Sequence, residues 1–186
     1  MKKIILLAVV LMLASSNDKI CETKLDKMQG CVIKEYQGKV LVKETPYKNN
    51  KINGIVKEYY PSTGKLKFMD TIKDDMSNGE QKAFYENGQL EYSVFYKNDR
   101  LADGESGMFY SNGKIKATIN TINGALNGEA KVYKENGGLS VTLNFKNGKL
   151  LGGKCANNGV KVPAAAWEMH SDMFQIARLC EQNFLF

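Results

Sequence analysis

The chain of 186 residues contains one His, one Trp, three Pro and four Cys, and each scarcity excludes something. A single imidazole cannot build a two-histidine metal site, and no cysteine pair has Cys-x-x-Cys spacing, so no metal centre is expected. His170 and Cys180 fall on one predicted helix, about 15 Å of rise apart. That is beyond hydrogen-bond reach, so no Cys-His pair and no catalytic residue is expected. The glycines follow turns and do not open a strand-to-helix phosphate loop, so no nucleotide or other cofactor is expected. The long apolar run is confined to Ile4 through Leu13, well short of the roughly 20 residues that span a bilayer.

That run is preceded by Lys2 and Lys3 and followed by Ala14-Ser15-Ser16, the pattern of a secretory signal. Cleavage is expected after Ser16, so residues 1–16 are a signal peptide and the mature chain is periplasmic or secreted. Cys21 follows Asp18-Lys19-Ile20, which does not fit a lipobox. Without Lys2 and Lys3 the formal charge falls from +6 to +4, and the lysines are interspersed with Glu and Asp, so no nucleic-acid partner is expected. Export permits disulfides. Four cysteines allow three connectivities, and their clustering near the two ends favours Cys21–Cys31 and Cys155–Cys180.

Between those ends the chain repeats. Gly54, Gly79, Gly104 and Gly128 open similar phrases at spacings of 25, 25 and 24 residues, and Gly64, Gly88, Gly113 and Gly137 follow within the units. Weaker copies start at Gly30 and Gly152, giving about six units with degenerate ends, as a stacked array requires. Asn87-Gly88, Asn112-Gly113 and Asn136-Gly137 between alternating apolar stretches predict hairpins closed by two-residue primed turns. After each such glycine the period is two, as in Leu90, Tyr92, Val94 and Tyr96 or Leu139, Val141, Leu143 and Phe145. That pattern is a strand with one buried face.

Two aromatic columns recur side by side: Tyr59, Phe84, Phe109 and Tyr133, then Tyr36, Tyr60, Tyr85 and Tyr110. Neighbouring strand residues point to opposite faces, so both columns cannot be core, and at least one aromatic ladder is accessible. The tyrosines Tyr36, Tyr60, Tyr85 and Tyr110, with the recurrent Lys57, Lys82 and Lys131, are therefore the candidate partner-binding residues; stacked tyrosines that only stabilise the sheet are the alternative. Glu80, Glu105 and Glu129 recur as expected ion-pair partners of those lysines.

After Val162 the grammar changes. Pro163 and Ala164-Ala165-Ala166 start a helical period running to about Asn183, with Met169, Met173, Ile176 or Ala177, Cys180 and Phe184 on one apolar face. The polar face, with Glu168, Ser171, Asp172, Gln175 and Glu181, lacks the Lys/Arg stripe of a membrane-surface helix, so this helix reads as a cap on the sheet end.

The phrase Asn78-Gly79-Glu80-x-Lys82-x-Phe84-Tyr85-x-Asn87-Gly88-x-Leu90, followed by Tyr96-Lys97-Asn98, resembles the bacterial variant of the MORN repeat, whose proteins are often labelled antitoxin repeat proteins. The resemblance covers roughly Gly30 to Gly159. It implies an all-β fold, an elongated single-sheet array of antiparallel β-hairpin repeats, and it carries no catalytic residues. The expected organisation is signal 1–16, amino-terminal cap segment 17–29, repeats 30–162 and carboxyl-terminal capping helix 163–186. The expected function is a non-enzymatic binding module for a protein partner in the envelope or outside the cell. A toxin neutralised by this chain is the alternative partner, and membrane-lipid contact a weaker one.

Overall fold

The computed structural model describes residues 19–170 and 172–182. The expected signal segment, Ser171 and Phe184 lie outside the described residues. A short helix, α1 (Lys24–Gln29), precedes the strands β1 (Cys31–Gln37), β2 (Val40–Lys48), β3 (Lys51–Ile52), β4 (Gly54–Tyr59), β5 (Leu66–Lys73), β6 (Met76–Phe84), β7 (Leu90–Lys97), β8 (Arg100–Leu101), β9 (Gly104–Phe109), β10 (Ile115–Ile122), β11 (Ala125–Leu126), β12 (Gly128–Tyr133), β13 (Leu139–Lys146), β14 (Lys149–Cys155) and β15 (Lys161–Val162). Helices α2 (Ala165–His170) and α3 (Met173–Glu181) follow. The strands make one antiparallel sheet in the order β1-β2-β4-β5-β6-β7-β9-β10-β12-β13-β14-β15, with β3, β8 and β11 pairing with β2, β7 and β10. Six hairpins stack in chain order, as the repeat predicts.

Two kinds of turn alternate along the array. Between units, Asp74-Asp75, Asn98-Asp99, Asn123-Gly124 and Asn147-Gly148 have positive φ at both positions. These are the two-residue primed turns that match the strand twist. Within units the expectation of such turns at Asn87-Gly88, Asn112-Gly113 and Asn136-Gly137 is corrected. Only the glycine has positive φ there, and three residues separate the paired Tyr85 and Gln89, with Gly88 N–H donating to the Tyr85 carbonyl at 2.8 Å. The asparagine plays a different part, since Asn87, Asn112 and Asn136 each accept, on Oδ1, the N–H two residues on. Such Asx turns close the loop without a left-handed asparagine.

Each in-unit loop is followed by a β-bulge, which leaves one residue unpaired in β5, β7, β10 and β13: Lys67, Glu91, Lys116 and Ser140. The first glycine of each unit marks a second irregularity. Gly79 has φ 141°, and a Cβ there would stand 2.8 Å from the Thr71 side chain, so only glycine fits.

Cross-strand pairs share a face. One row runs Lys43, Glu58, Phe68, Ala83, Tyr92, Met108, Ala117, Val132, Val141, Cys155 through successive register pairs. Its carboxyl end lies under α2 and α3 and carries the core, where Val141, Leu143, Ile176 and Cys180 are buried and Trp167 packs edge-on against Phe145 at 5.0 Å. This is the helix face; the opposite side, the open face, has no helix on it among the described residues. At the amino end α1 contacts β1 and β2 and holds the Lys27 ammonium 4.4 Å from the centre of the Tyr47 ring, a helix-face residue.

The expected single helix from Pro163 to Asn183 is two helices. Asp172 leaves helical geometry and caps α3, its Oδ1 accepting the Phe174 N–H at 2.8 Å, a bond that competes with helix continuation. Met173, Ile176, Ala177 and Cys180 are buried as the period predicts, but Met169, on the other side of that break, is 63% exposed. Both expected cysteine pairs are joined, with Cα separations of 5.1 Å for Cys21–Cys31 and 5.3 Å for Cys155–Cys180. The second ties α3 to β14, so Cys180 is no free thiol beside His170.

Candidate functional site

The structure separates the candidate binding residues into two places. Tyr60, Tyr85 and Tyr110 stand just past the ends of β4, β6 and β9, on the helix-face rim. Each hydroxyl donates to a carbonyl of the next unit: Tyr60 to Phe84 at 2.7 Å, Tyr85 to Phe109 at 2.8 Å, Tyr110 to Tyr133 at 2.7 Å. These tyrosines are inter-unit staples. Burial raises their hydroxyl pKa values, helped by Glu91 at Tyr60 and Tyr85 and by Glu181 at Tyr110. On the same rim, Asn87 and Asn112 donate to the Ser111 and Glu135 carbonyls of the following unit.

Tyr36 does not belong to that column. The first unit closes through a short turn with Gln37 paired to Val40, which brings its bulge to Tyr36; the other units have theirs at Tyr59, Phe84 and Tyr133. Tyr36 therefore lines up with Tyr59, Phe84, Phe109 and Tyr133 and is 59% exposed. Those aromatics occupy the open face: the Tyr59 hydroxyl donates to Glu44 at 2.6 Å, and the Phe109 ring lies over Gly107.

Lys57, Lys82 and Lys131 are also on the open face, in a row that passes through Lys34, Glu44, Lys57, Met69, Lys82, Ser93, Gly107, Thr118, Lys131, Thr142 and Lys154. Their charges are matched at close range. Lys82 pairs with Glu80 at 2.7 Å, Lys131 with Glu129 at 2.6 Å, and Glu44 accepts Lys34 at 3.5 Å and Lys57 at 3.9 Å. The Tyr59 hydroxyl, then Lys57 and Lys34, hold Glu44 below the usual carboxylate range, and Lys82 with Ser93 does the same for Glu80. Tyr60, Tyr85 and Tyr110 thus lie back to back with the lysines expected to share their surface, and only Tyr36 of the candidate tyrosines stands on the lysine side.

Sequence reasoning missed the feature that stands out on the helix face. Six residues past the in-unit glycine, three units place Val94, Ile119 and Leu143; the second unit places Asp70. Asp70 is 8% exposed, its Oδ2 accepts the Ser77 hydroxyl at 2.7 Å, and its Oδ1 accepts no hydrogen bond. Around it, Phe68, Tyr92, Tyr96 and Met108 are only half-buried, because α2 and α3 cover the sheet further along. A cleft of about 310 Å³ opens here, lined by Tyr60, Lys67, Phe68, Ala83, Glu91 and Tyr92 among others.

Residues 77–98, 102–123 and 126–147 match the family model of the MORN repeat variant. Three of the hairpin units are thus MORN-type. No curated protein matches the chain. Similar solved structures include the GtfA/B complex, at 14% identity over 69% of this chain and 23% of that one with a TM-score of 0.31. Another is an S. aureus TarM mutant in complex with fondaparinux, α-GlcNAc-glycerol and UDP, at 11% identity over 79% and 24% with a TM-score of 0.27. The chain spans about a quarter of either. No helix among the described residues is long and apolar enough to cross a membrane.

Proposed function

We propose that this chain is an exported, non-catalytic binding module whose MORN-type sheet engages a protein partner in the envelope or outside the cell. MORN repeats are generally protein- or membrane-binding modules. The observation that carries the reading is the coverage of the helix face: its carboxyl end is sealed by α2 and α3, while Phe68, Tyr92 and Tyr96 stay half-buried with no helix above them among the described residues, and Met108 is half-buried at the edge of the sealed core. A half-buried aromatic strip between capped ends is a surface suited to a macromolecule. Protein is favoured over anionic lipid because lysines of the open face are neutralised by Glu44, Glu80 and Glu129. Export is supported by the apolar run at Ile4 through Leu13 and by two disulfides, which persist in oxidising compartments.

The test is site-specific photo-crosslinking in the native envelope, with the photoreactive side chain at Lys67 on the helix face or at Lys82 on the open face. A discrete protein adduct is expected from position 67. No adduct from either position would overturn the reading.

A further inference from the structure

This chain carries its own example of what its sheet accepts. Helix α3 runs across the strands at the rim of the helix face. Phe174 stacks on the Lys116 ammonium, 4.7 Å from the ring centre, and Lys116 lies 5.8 Å from the centre of Tyr110. Further along α3, Glu181 accepts the Ser140 hydroxyl at 2.9 Å. Lys116 and Ser140 are the bulge residues of successive units, two strands apart, a span of about 9.6 Å. Phe174 and Glu181 are seven residues apart, about 10.5 Å along a helix. One repeat of the sheet thus matches two turns of helix.

The same site recurs upstream with no helix on it among the described residues. Lys67 stands 5.9 Å from the centre of the Tyr60 ring, as Lys116 does from Tyr110, and the bulge residue one unit on is Glu91 where α3 meets Ser140. The apolar floor is Phe68, Ala83 and Tyr92, the repeat counterparts of Ala117, Val132 and Val141, which are buried in the core cluster with α3. Its charge differs. Glu91 and Glu58 line the cleft, and Asp70 occupies the next helix-face position along β5 from Phe68, replacing the aliphatic residue of the other units.

We propose that this cleft docks an amphipathic helix of a partner protein, carrying an aromatic residue that stacks on Lys67 and Tyr60 and, seven residues later, a Lys or Arg that pairs with Glu91. The proposal rests on the binding-module reading and names the partner's chemistry. The occupant is specified by continuity with the α3 interface and by charge: an aromatic where α3 has Phe174, a base where α3 has Glu181. Asp70, beside the cleft, reinforces the preference for a base, whereas the Glu58 carboxylate is already paired with Lys43 at 3.1 Å.

The probe is a helix-stabilised peptide with the sequence of residues 172–182 carrying Cys180→Ser and Glu181→Lys, titrated into oxidised mature protein. Saturable shifts are expected at the amides of Phe68, Ala83 and Tyr92, and none at Lys82 or Lys131 on the open face. Glu91→Lys should weaken binding at least tenfold, and the peptide that keeps Glu181 should recover it on that variant. The variant should fold, since Lys67 and Lys116 already occupy the equivalent position; an unchanged melting temperature checks this. Absence of shifts, shifts confined to the open face, or a loss that the Glu181 peptide does not restore would overturn the proposal. A native adduct at position 82 with no peptide response would leave the binding-module reading standing and remove only this one. No native adduct at either position would overturn the binding-module reading and, with it, this proposal, whatever the peptide does.

Discussion

Asp70 and Gly79 show how a single side chain sets the local energetics of this sheet. Replacing the carboxylate, whose Oδ1 has no hydrogen-bond partner, with the aliphatic residue its repeat position calls for, Asp70→Val, should stabilise the protein by about 1–3 kcal/mol, the usual cost of a buried polar atom left without a hydrogen bond. Chemical denaturation measures this; a destabilised variant would mean that the Ser77 bond outweighs the missing one. Gly79→Ala should lose about 1–3 kcal/mol through strain at its positive φ and the clash with Thr71. Tyr85→Phe should cost only about 1 kcal/mol, one hydroxyl-to-carbonyl bond. Asp70 was legible in the sequence as the one polar residue in the column of Val94, Ile119 and Leu143. The back-to-back arrangement was legible too, since Lys57 and Tyr60, like Lys82 and Tyr85, stand three residues apart along one strand and the residue just past its end, and an odd spacing puts side chains on opposite faces.

Stability against pH follows from the same residues. Asp26 is held far below its usual value by Lys19 and Thr23, and Glu44 and Glu80 are lowered by their partners. Lowered carboxylates stabilise the fold above the unfolded values, 3.8 for Asp and 4.5 for Glu, and that contribution is lost as pH falls through the folded values. Tyr59, Tyr60, Tyr85, Tyr92 and Tyr110 are raised above 10.0, chiefly by burial, so their contribution is complete below pH 10 and is lost as pH rises through the folded values. Urea midpoints should therefore form a plateau between about pH 5 and 10 and fall on both sides. A steady slope across that range would contradict these assignments.

At the scale of elements, the disulfides and helices hold the two ends of an array whose middle is held by turns and staples. By loop-closure entropy, the 25-residue separation of Cys155–Cys180 is worth about 3.5 kcal/mol, and the 10-residue separation of Cys21–Cys31 about 2.7 kcal/mol. Cys155→Ser with Cys180→Ser should lower the melting temperature more than Cys21→Ser with Cys31→Ser, because it also frees α3 from the core. Equal effects would deny α3 that role. The cap, its buried residues and both cysteine pairings could be read from a 3.6-residue period and from cysteine placement. The break at Asp172 could not, because an Asp on a polar face and an Asp capping a new helix look alike until the chain direction is known. Tyr36 was misplaced for a comparable reason: glycine spacing aligned it with Tyr60, while the shorter first turn shifts the bulge that decides its face.

Over the whole molecule, burial is graded along the array. Ala117, Val141 and Leu143 are fully buried under the carboxyl-terminal helices, whereas Phe68, Tyr92 and Met108 in the same sheet are not. Hairpins that cannot bury a face alone gain stability from neighbours, so the sealed end should anchor the rest. The middle of the helix face, uncovered among the described residues, underlies both the proposed binding role and the proposed helix partner. Native-state hydrogen exchange of the oxidised protein tests it most directly. Slowest exchange is expected in β10 through β14, with β4 through β7 opening at lower free energy; protection that is uniform along the array, or strongest in β4 through β7, would contradict the account.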